Sequence, residues 1–365
     1  GASTETVDRA KYLLDPDTLT LGFARRFATY KRPDLLLHDV NRLLYILTNN
    51  PQRPVQIILA GKAHPADQAG RALIQKWAQF IGQGASHPPI VFLADYDMLI
   101  AERLVQGVDV WINTPRRPWE ASGTSGMKVL VNGGINLSEL DGWWAEAYTP
   151  EVGWALGDGK EHGDDPVLDA AEAEQLYDLL EHEVIPEFYN RNQEGIPTAW
   201  VARMRESMAR LTPRFSSNRT VREYTEQHYL PAASAYRERM VEKGAMGVQI
   251  VNWRHHLHQN WTALRFGDVK VETDGEQHVF EVQVFLNDVD SNTVRVELYA
   301  DGINESSPIR QELTHISQLP YSVGGHIYSG AVSATRPSTD FTARIIPYFP
   351  GVSVPLETAH ILWQQ

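Results

Sequence analysis

In the first third of this 365-residue chain, short apolar runs alternate with segments of helical periodicity. Leu19-Thr20-Leu21-Gly22-Phe23, Val55-Gln56-Ile57-Ile58-Leu59-Ala60, Pro89-Ile90-Val91-Phe92-Leu93 and Val108-Asp109-Val110-Trp111-Ile112 read as strands. Between them, Asp34 to Leu47, Ala66 to Ile81 and Asp97 to Val105 read as helices. In the first, Leu35, Leu36, Leu37, Val40, Leu43, Leu44 and Leu47 recur near every 3.6 residues. A strand that is apolar at successive positions has both faces covered, and the intervening helices supply the cover. The pattern therefore predicts an α/β fold built on a Rossmann-like doubly wound parallel sheet. Helical stretches then dominate from Ala171 to about Tyr236.

The period changes near Glu242-Lys243-Gly244-Ala245. After a short helical piece, His255 to Phe266, apolar and polar residues alternate strictly in Val279 to Leu286 and Thr293 to Tyr299. Further strand candidates are His326 to Ala334, Phe341 to Phe349 and His360 to Trp363. Period-2 runs with Gly, Asp and Pro turns predict an all-β sandwich. The domains expected are a catalytic lobe, 1–243, and a β-sandwich, 244–365.

Composition narrows the function. The net charge of −13, from 46 acids and 33 bases, excludes a whole-molecule basic footprint for nucleic acid. The chain has no Cys, which excludes a disulfide framework, a zinc ribbon and a thiol nucleophile. No apolar run approaches the ~18 residues of a membrane span. These features read as a soluble cytoplasmic protein without nucleic acid or membrane partners. The chain starts at Gly1-Ala2-Ser3 and its first Met is Met98, so a processed or cut piece of a longer protein is expected.

Ligands of open α/β sheets bind beyond the carboxyl ends of the strands. Three segments follow such ends. Arg25 to Arg32 (Arg-Arg-Phe-Ala-Thr-Tyr-Lys-Arg) holds four cations in eight residues. That composition suits an anion site, since guanidinium forks match phosphate oxygens, but it also suits a solvated basic loop. Ala60-Gly61-Lys62-Ala63-His64-Pro65 reads as a strand-to-helix turn, because Gln56 stands where a phosphate loop needs its first glycine. Trp119-Glu120-Ala121-Ser122-Gly123-Thr124-Ser125-Gly126-Met127-Lys128 is a glycine-rich approach to a helix, able to receive phosphate. Lys128 falls one turn into that helix, either as a surface lysine or as an amine able to form a Schiff base with an aldehyde cofactor. Trp143, Trp144 and Tyr148 fit sugar stacking and core packing equally. His255, His256 and His258 give no i, i+4 pair, so no metal is assigned.

Glu120 to Lys128, followed by Val129-Leu130-Val131-Asn132-Gly133, resembles the pyridoxal-phosphate lysine motif of the α-glucan (glycogen/maltodextrin) phosphorylases. Arg25 to Arg32 resembles their basic phosphate motif, and Pro89 to Tyr96 the segment between the two. The similarity covers about residues 17–235. Asn113-Thr114-Pro115-Arg116-Arg117-Pro118 and Leu140-Asp141-Gly142-Trp143-Trp144, with the β-rich tail, are similar to the bacterial short-type branch.

The resemblance implies the second lobe of a two-lobed glycosyltransferase-type fold, and phosphorolysis of α-1,4-glucan by inorganic phosphate to glucose 1-phosphate with retention. It implies that Lys128 carries pyridoxal 5'-phosphate as a Schiff base, with Arg25, Lys31, Thr124 and Ser125 around the cofactor phosphate and Tyr96 beside its ring. Arg26 and Lys31 would grip the substrate phosphate. Glu120, Ser122 and the backbone of Gly123 would meet the glucose hydroxyls. Asp97 stands where the animal-type pattern has an arginine. The partners implied are α-1,4-glucan, inorganic phosphate and an N-terminal lobe of the same enzyme, without which this chain is expected to be inactive. A homodimer is a further candidate. Two alternatives stay open: a nucleotide-sugar glucan synthase, whose Glu-x7-Glu would need a carboxylate where Lys128 stands, and an inactive glucan-binding module.

Overall fold

The computed structural model describes residues 12–82, 89–303 and 307–365, so the Gly1 start lies outside the described residues. The chain divides into two compact units, residues 1–221 and 222–365, within helix Ser217–Tyr224. The sequence boundary at 243/244 falls on a non-helical break, Val241 to Gly244, inside the helical span Leu230–Asn260.

The first unit is a six-stranded parallel sheet: β1 (Leu19–Ala24), β2 (Val55–Ala60), β3 (Ile90–Leu93), β4 (Val110–Asn113), β5 (Ile135–Glu139) and β6 (Gly153–Leu156). The strand order is β3-β2-β1-β4-β5-β6, the doubly wound arrangement. β1 and β2 are buried at every position, as their unbroken apolar runs require. Gln56 is the polar exception. Its side chain donates to Asp15 O (2.8 Å) and Thr20 Oγ1 (2.7 Å) and accepts from Asp15 N (3.0 Å), so no buried amide group is stranded.

The helices are α1 (Val40–Thr48), α2 (Gln68–Gly82), α3 (Met98–Gly107), α4 (Thr124–Leu130), α5 (Trp143–Ala147), α6 (Pro166–Leu179), α7 (Ile185–Tyr189) and α8 (Thr198–Arg214). The helix expected over Asp34 to Leu47 is split. Leu35–Leu37 form a 3-10 turn with all three leucines buried, which one face of a continuous α-helix cannot do. Asp39 then takes extended backbone and caps α1, accepting from the N–H groups of Asn41 (2.9 Å) and Arg42 (3.0 Å). Trp143 and Trp144 are core residues, 3% and 0% exposed, so they offer no face to a sugar.

The second unit holds two four-stranded antiparallel sheets, in the orders β11-β12-β8-β7 and β10-β9-β13-β14. The strands are β7 (Arg265–Asp274), β8 (Gln277–Phe285), β9 (Val294–Ala300), β10 (Ile309–Glu312), β11 (Thr314–Gln318), β12 (Gly325–Ser333), β13 (Thr342–Pro347) and β14 (Leu362–Trp363). The alternating residues Phe280, Val282 and Val284 of β8 share one core with Val296, Leu298 and Ile345 of the other sheet. The helical piece read as His255 to Phe266 needs correcting. The helix ends at Asn260, a 3-10 turn covers Trp261–Ala263, and Phe266 is already in β7. β7, β10 and β11 are largely exposed, so they carry no alternation from which the sequence could reveal them. Among the described residues, no helix is long and apolar enough to cross a membrane.

Candidate active site

The strand order reverses between β1 and β4, and the loops after these two strands open at that switch point. Beyond the sheet, the loop after β1 continues beside the loop after β2: Arg25 N donates to Ala60 O (3.1 Å) and Phe27 N to Lys62 O (3.0 Å). Gly61 makes the approach possible, since a Cβ there would lie 2.1 Å from Arg25 O. Fully buried Phe27 pins the loop to the core. Arg25 consequently faces inward and Arg26 outward, where it donates to Tyr30 Oη (3.3 Å).

The loop after β4 is tied to the same segment. Thr114 Oγ1 bridges the carbonyls of Lys31 and Arg32 (3.1 Å each), and Arg116 N donates to Tyr30 O (2.6 Å). Glu120 is thereby placed against the cations. Its Oε2 sits 3.1 Å from Arg25 Nη2 and is ion-paired with Lys31 Nζ. All three side chains are about nine-tenths buried. Burial pulls the Arg25 guanidinium below its ordinary pKa, opposed by the charge of Glu120. Arg25 also keeps Nε and Nη1 buried without a partner. Burial raises the Tyr96 phenol, and the charge of Arg25 opposes that shift.

Gly123 opens α4 in left-handed backbone (φ 82°), with no side-chain cap on the helix. The helix buries Gly126, Val129 and Leu130; a Cβ on Gly126 would lie 2.4 Å from Asn136 Oδ1. Val129 joins Ala24, Ala60 and Trp111, with Tyr96 packed against them, so the lysine helix rests on the strand ends. Ser125 Oγ accepts from Trp111 Nε1 (3.1 Å), and Ser122 O accepts from Trp143 N (2.8 Å). Thr124 and Lys128 are exposed, and Lys128 Nζ has no ion-pair partner among the described residues. Asp97 caps α3 through Ile100 N (2.9 Å).

The structure thus brings Arg25, Lys31 and Glu120 together and leaves Arg26 at the surface. It divides the basic cluster further. Arg32 turns away to donate to the carbonyls of Thr114 (3.0 Å) and Pro115 (3.1 Å) and to Glu139 Oε2 (3.0 Å), and pairs with Asp169 (2.8 Å) and Glu172. Asp141 was not distinguishable in sequence from the other acids. Its carboxylate receives the N–H groups of Glu120 (2.8 Å) and Gly142 (2.9 Å) and so orients the Glu120 loop. The only local signal was the Asp-Gly pair, a turn signature.

Residues 4–153 match the family model described as carbohydrate phosphorylase. The matched segment includes Arg25, Lys31, Tyr96, Glu120, Lys128 and Asp141. This segment is similar to the carbohydrate phosphorylases. The chain is 44% identical over 269 residues to a glycogen phosphorylase of Mycobacterium tuberculosis, covering 74% of this chain and 31% of that protein. It is 49% identical over 216 residues to a glycogen phosphorylase of Aquifex aeolicus, covering 59% and 31%. A maltodextrin phosphorylase of Thermococcus litoralis is 38% identical over 345 residues, covering 92% of this chain and 40% of the relative. The chain therefore spans about a third to two-fifths of these curated relatives' length.

Proposed function

We propose that this chain is the cofactor-holding part of an α-1,4-glucan phosphorylase, acting in the cytoplasm with a further lobe that supplies the rest of the glucan cleft. The observation that carries this reading is the convergence of buried Arg25 and Lys31 on the single carboxylate of Glu120. Two buried cations share one carboxylate and so leave positive charge over for a phosphate, and net charge −13 makes the cluster a local feature of an otherwise acidic chain.

The residues present fit pyridoxal phosphate. Arg25 retains two buried donors without partners, and exposed Lys128 offers an amine on the adjoining helix. Arg25, Lys31, Thr124 and Ser125 would hold the cofactor phosphate, with Tyr96 packing beside the ring. When bound, the cofactor supplies a phosphate able to exchange a proton with the phosphate substrate. The protein's own part is electrostatic and positional. Arg26 and Lys31 hold the inorganic phosphate. Glu120, kept in place by Asp141, orients the glucose hydroxyls with Ser122 and the Gly123 backbone. Phosphorolysis breaks the bond from the anomeric carbon to the glycosidic oxygen, which takes a proton. A phosphate oxygen then bonds to that carbon on the same face.

Two measurements test the proposal. Incubation with pyridoxal phosphate and borohydride should leave a stable chromophore on the chain, absent in Lys128→Ala. With the remaining lobe added, maltoheptaose and phosphate should yield glucose 1-phosphate. A labelled Lys128→Ala chain would refute the cofactor site, and phosphorolysis unaffected by Glu120→Gln would refute the role of the cluster.

A further inference from the structure

The β-rich unit contains a groove of about 560 Å³ that the catalytic reading leaves unused. It lies where β9 and β12, from the two different sheets, meet the segment joining β10 to β11. Its volume falls in the range of small-molecule sites, about 300–1,000 Å³. Tyr328 of β12 lines it, only 4% exposed, and its Oη is buried without a hydrogen-bond partner in the protein. Burial, with the nearby Asp290 charge, pushes that phenol up to about 12, so it stays a neutral donor. A buried hydroxyl left unmatched costs stability unless something in the groove accepts from it.

The surrounding groups define what that something is. The Arg295 guanidinium lies 3.7 Å from the Tyr348 ring centroid and 3.4 Å from Glu312. The His315 ring packs on Tyr328 at 5.2 Å. Asn292 extends from the rim, its amide donating to Asp290 (3.0 Å). Aromatic faces thus alternate with planar donors and acceptors of both charges. An anion would meet Glu312, and an apolar ligand would strip water from Arg295 and Glu312 without replacing it. A saccharide satisfies the set: its hydroxyls both donate and accept, and its C–H faces pack on aromatic rings.

We propose that this groove is a saccharide-binding site, separate from the Arg25–Lys31–Glu120 site, and that it takes a short α-glucan. The preference for a polyol follows from the groove; the choice of α-glucan rests on the proposed phosphorolytic function. A site of this kind would hold the polymer on the enzyme while chain ends react elsewhere, raising local substrate concentration through a second point of attachment.

The test is calorimetric titration of the full chain with maltoheptaose, cellopentaose and inorganic phosphate. Saturable maltoheptaose binding is expected. It should weaken about fivefold in Tyr328→Phe, the size of one net hydrogen bond, and at least as much in Arg295→Gln. Tyr328→Phe removes a hydroxyl that bonds to nothing in the protein, so its thermal midpoint should equal or exceed that of the parent. No saturable saccharide binding, or binding indifferent to both groove substitutions, overturns the proposal, as does phosphate binding that competes with the sugar. Equal binding of cellopentaose overturns the α-glucan assignment. Cofactor labelling at Lys128 is independent of every one of these outcomes.

Discussion

Glu139 ends β5 inside a cluster of charges and is 2% exposed. Burial raises its carboxyl to about 9, reinforced by the charge of Glu172 and opposed by Arg32. At neutral pH the folded chain therefore holds a proton that the unfolded chain releases near pH 4.5. A raised acid pKa makes stability fall as pH rises between those two values. The full slope is about 1.4 kcal/mol per pH unit, so from pH 5.5 to 8.5 the loss is at most about 4 kcal/mol. Glu139→Gln keeps the shape and neutrality of the protonated acid but has no proton to release. The two proteins should be about equally stable near pH 5, and the variant about 2–4 kcal/mol more stable at pH 8.5. Urea unfolding followed by tryptophan fluorescence reads this, because seven of the ten tryptophans lie before residue 222. Equal pH slopes, or a variant less stable than the parent at pH 8.5, would refute the assignment of a neutral Glu139.

Three other outcomes follow from packing. In Gly61→Ala the new Cβ meets Arg25 O at 2.1 Å, a backbone atom that cannot turn aside. The loss should reach or exceed the top of the about 1–3 kcal/mol range of overpacked sites, and phosphate affinity should fall with it. Gly123→Ala is sterically milder, with its nearest atom at 3.4 Å, so only the left-handed backbone (φ 82°) is penalised, by about 1–2 kcal/mol. Thermal melts that rank Gly123→Ala as the more damaging of the two would contradict both readings. In the β-rich unit, Leu298→Ala empties a fully buried position of β9 and should cost about 2–5 kcal/mol by chemical denaturation; a change below 1 kcal/mol would show a core looser than described.

The chain's own pattern determined the sheet. β1 and β2 are buried throughout because their residues are apolar throughout, and only a parallel sheet covered on both sides accommodates that. The segments that bear the site were legible for the same local reason: glycines at turns, cations after one strand, and small residues before a helix. Strands without a buried face were not legible, because exposed β10 and β11 owe their pairing to partners distant in sequence. The sequence also could not divide four neighbouring cations among three destinations. Arg25 and Lys31 turn to Glu120, Arg26 to the surface, and Arg32 to Glu139, Asp169 and Glu172. That division depends on which carboxylates the parallel crossovers carry to the ends of β1, β4 and β5. Charge pairing and hydrogen bonding act over a few ångströms, while the partners lie 89 to 140 positions apart in the chain, so only the tertiary structure brings them within range.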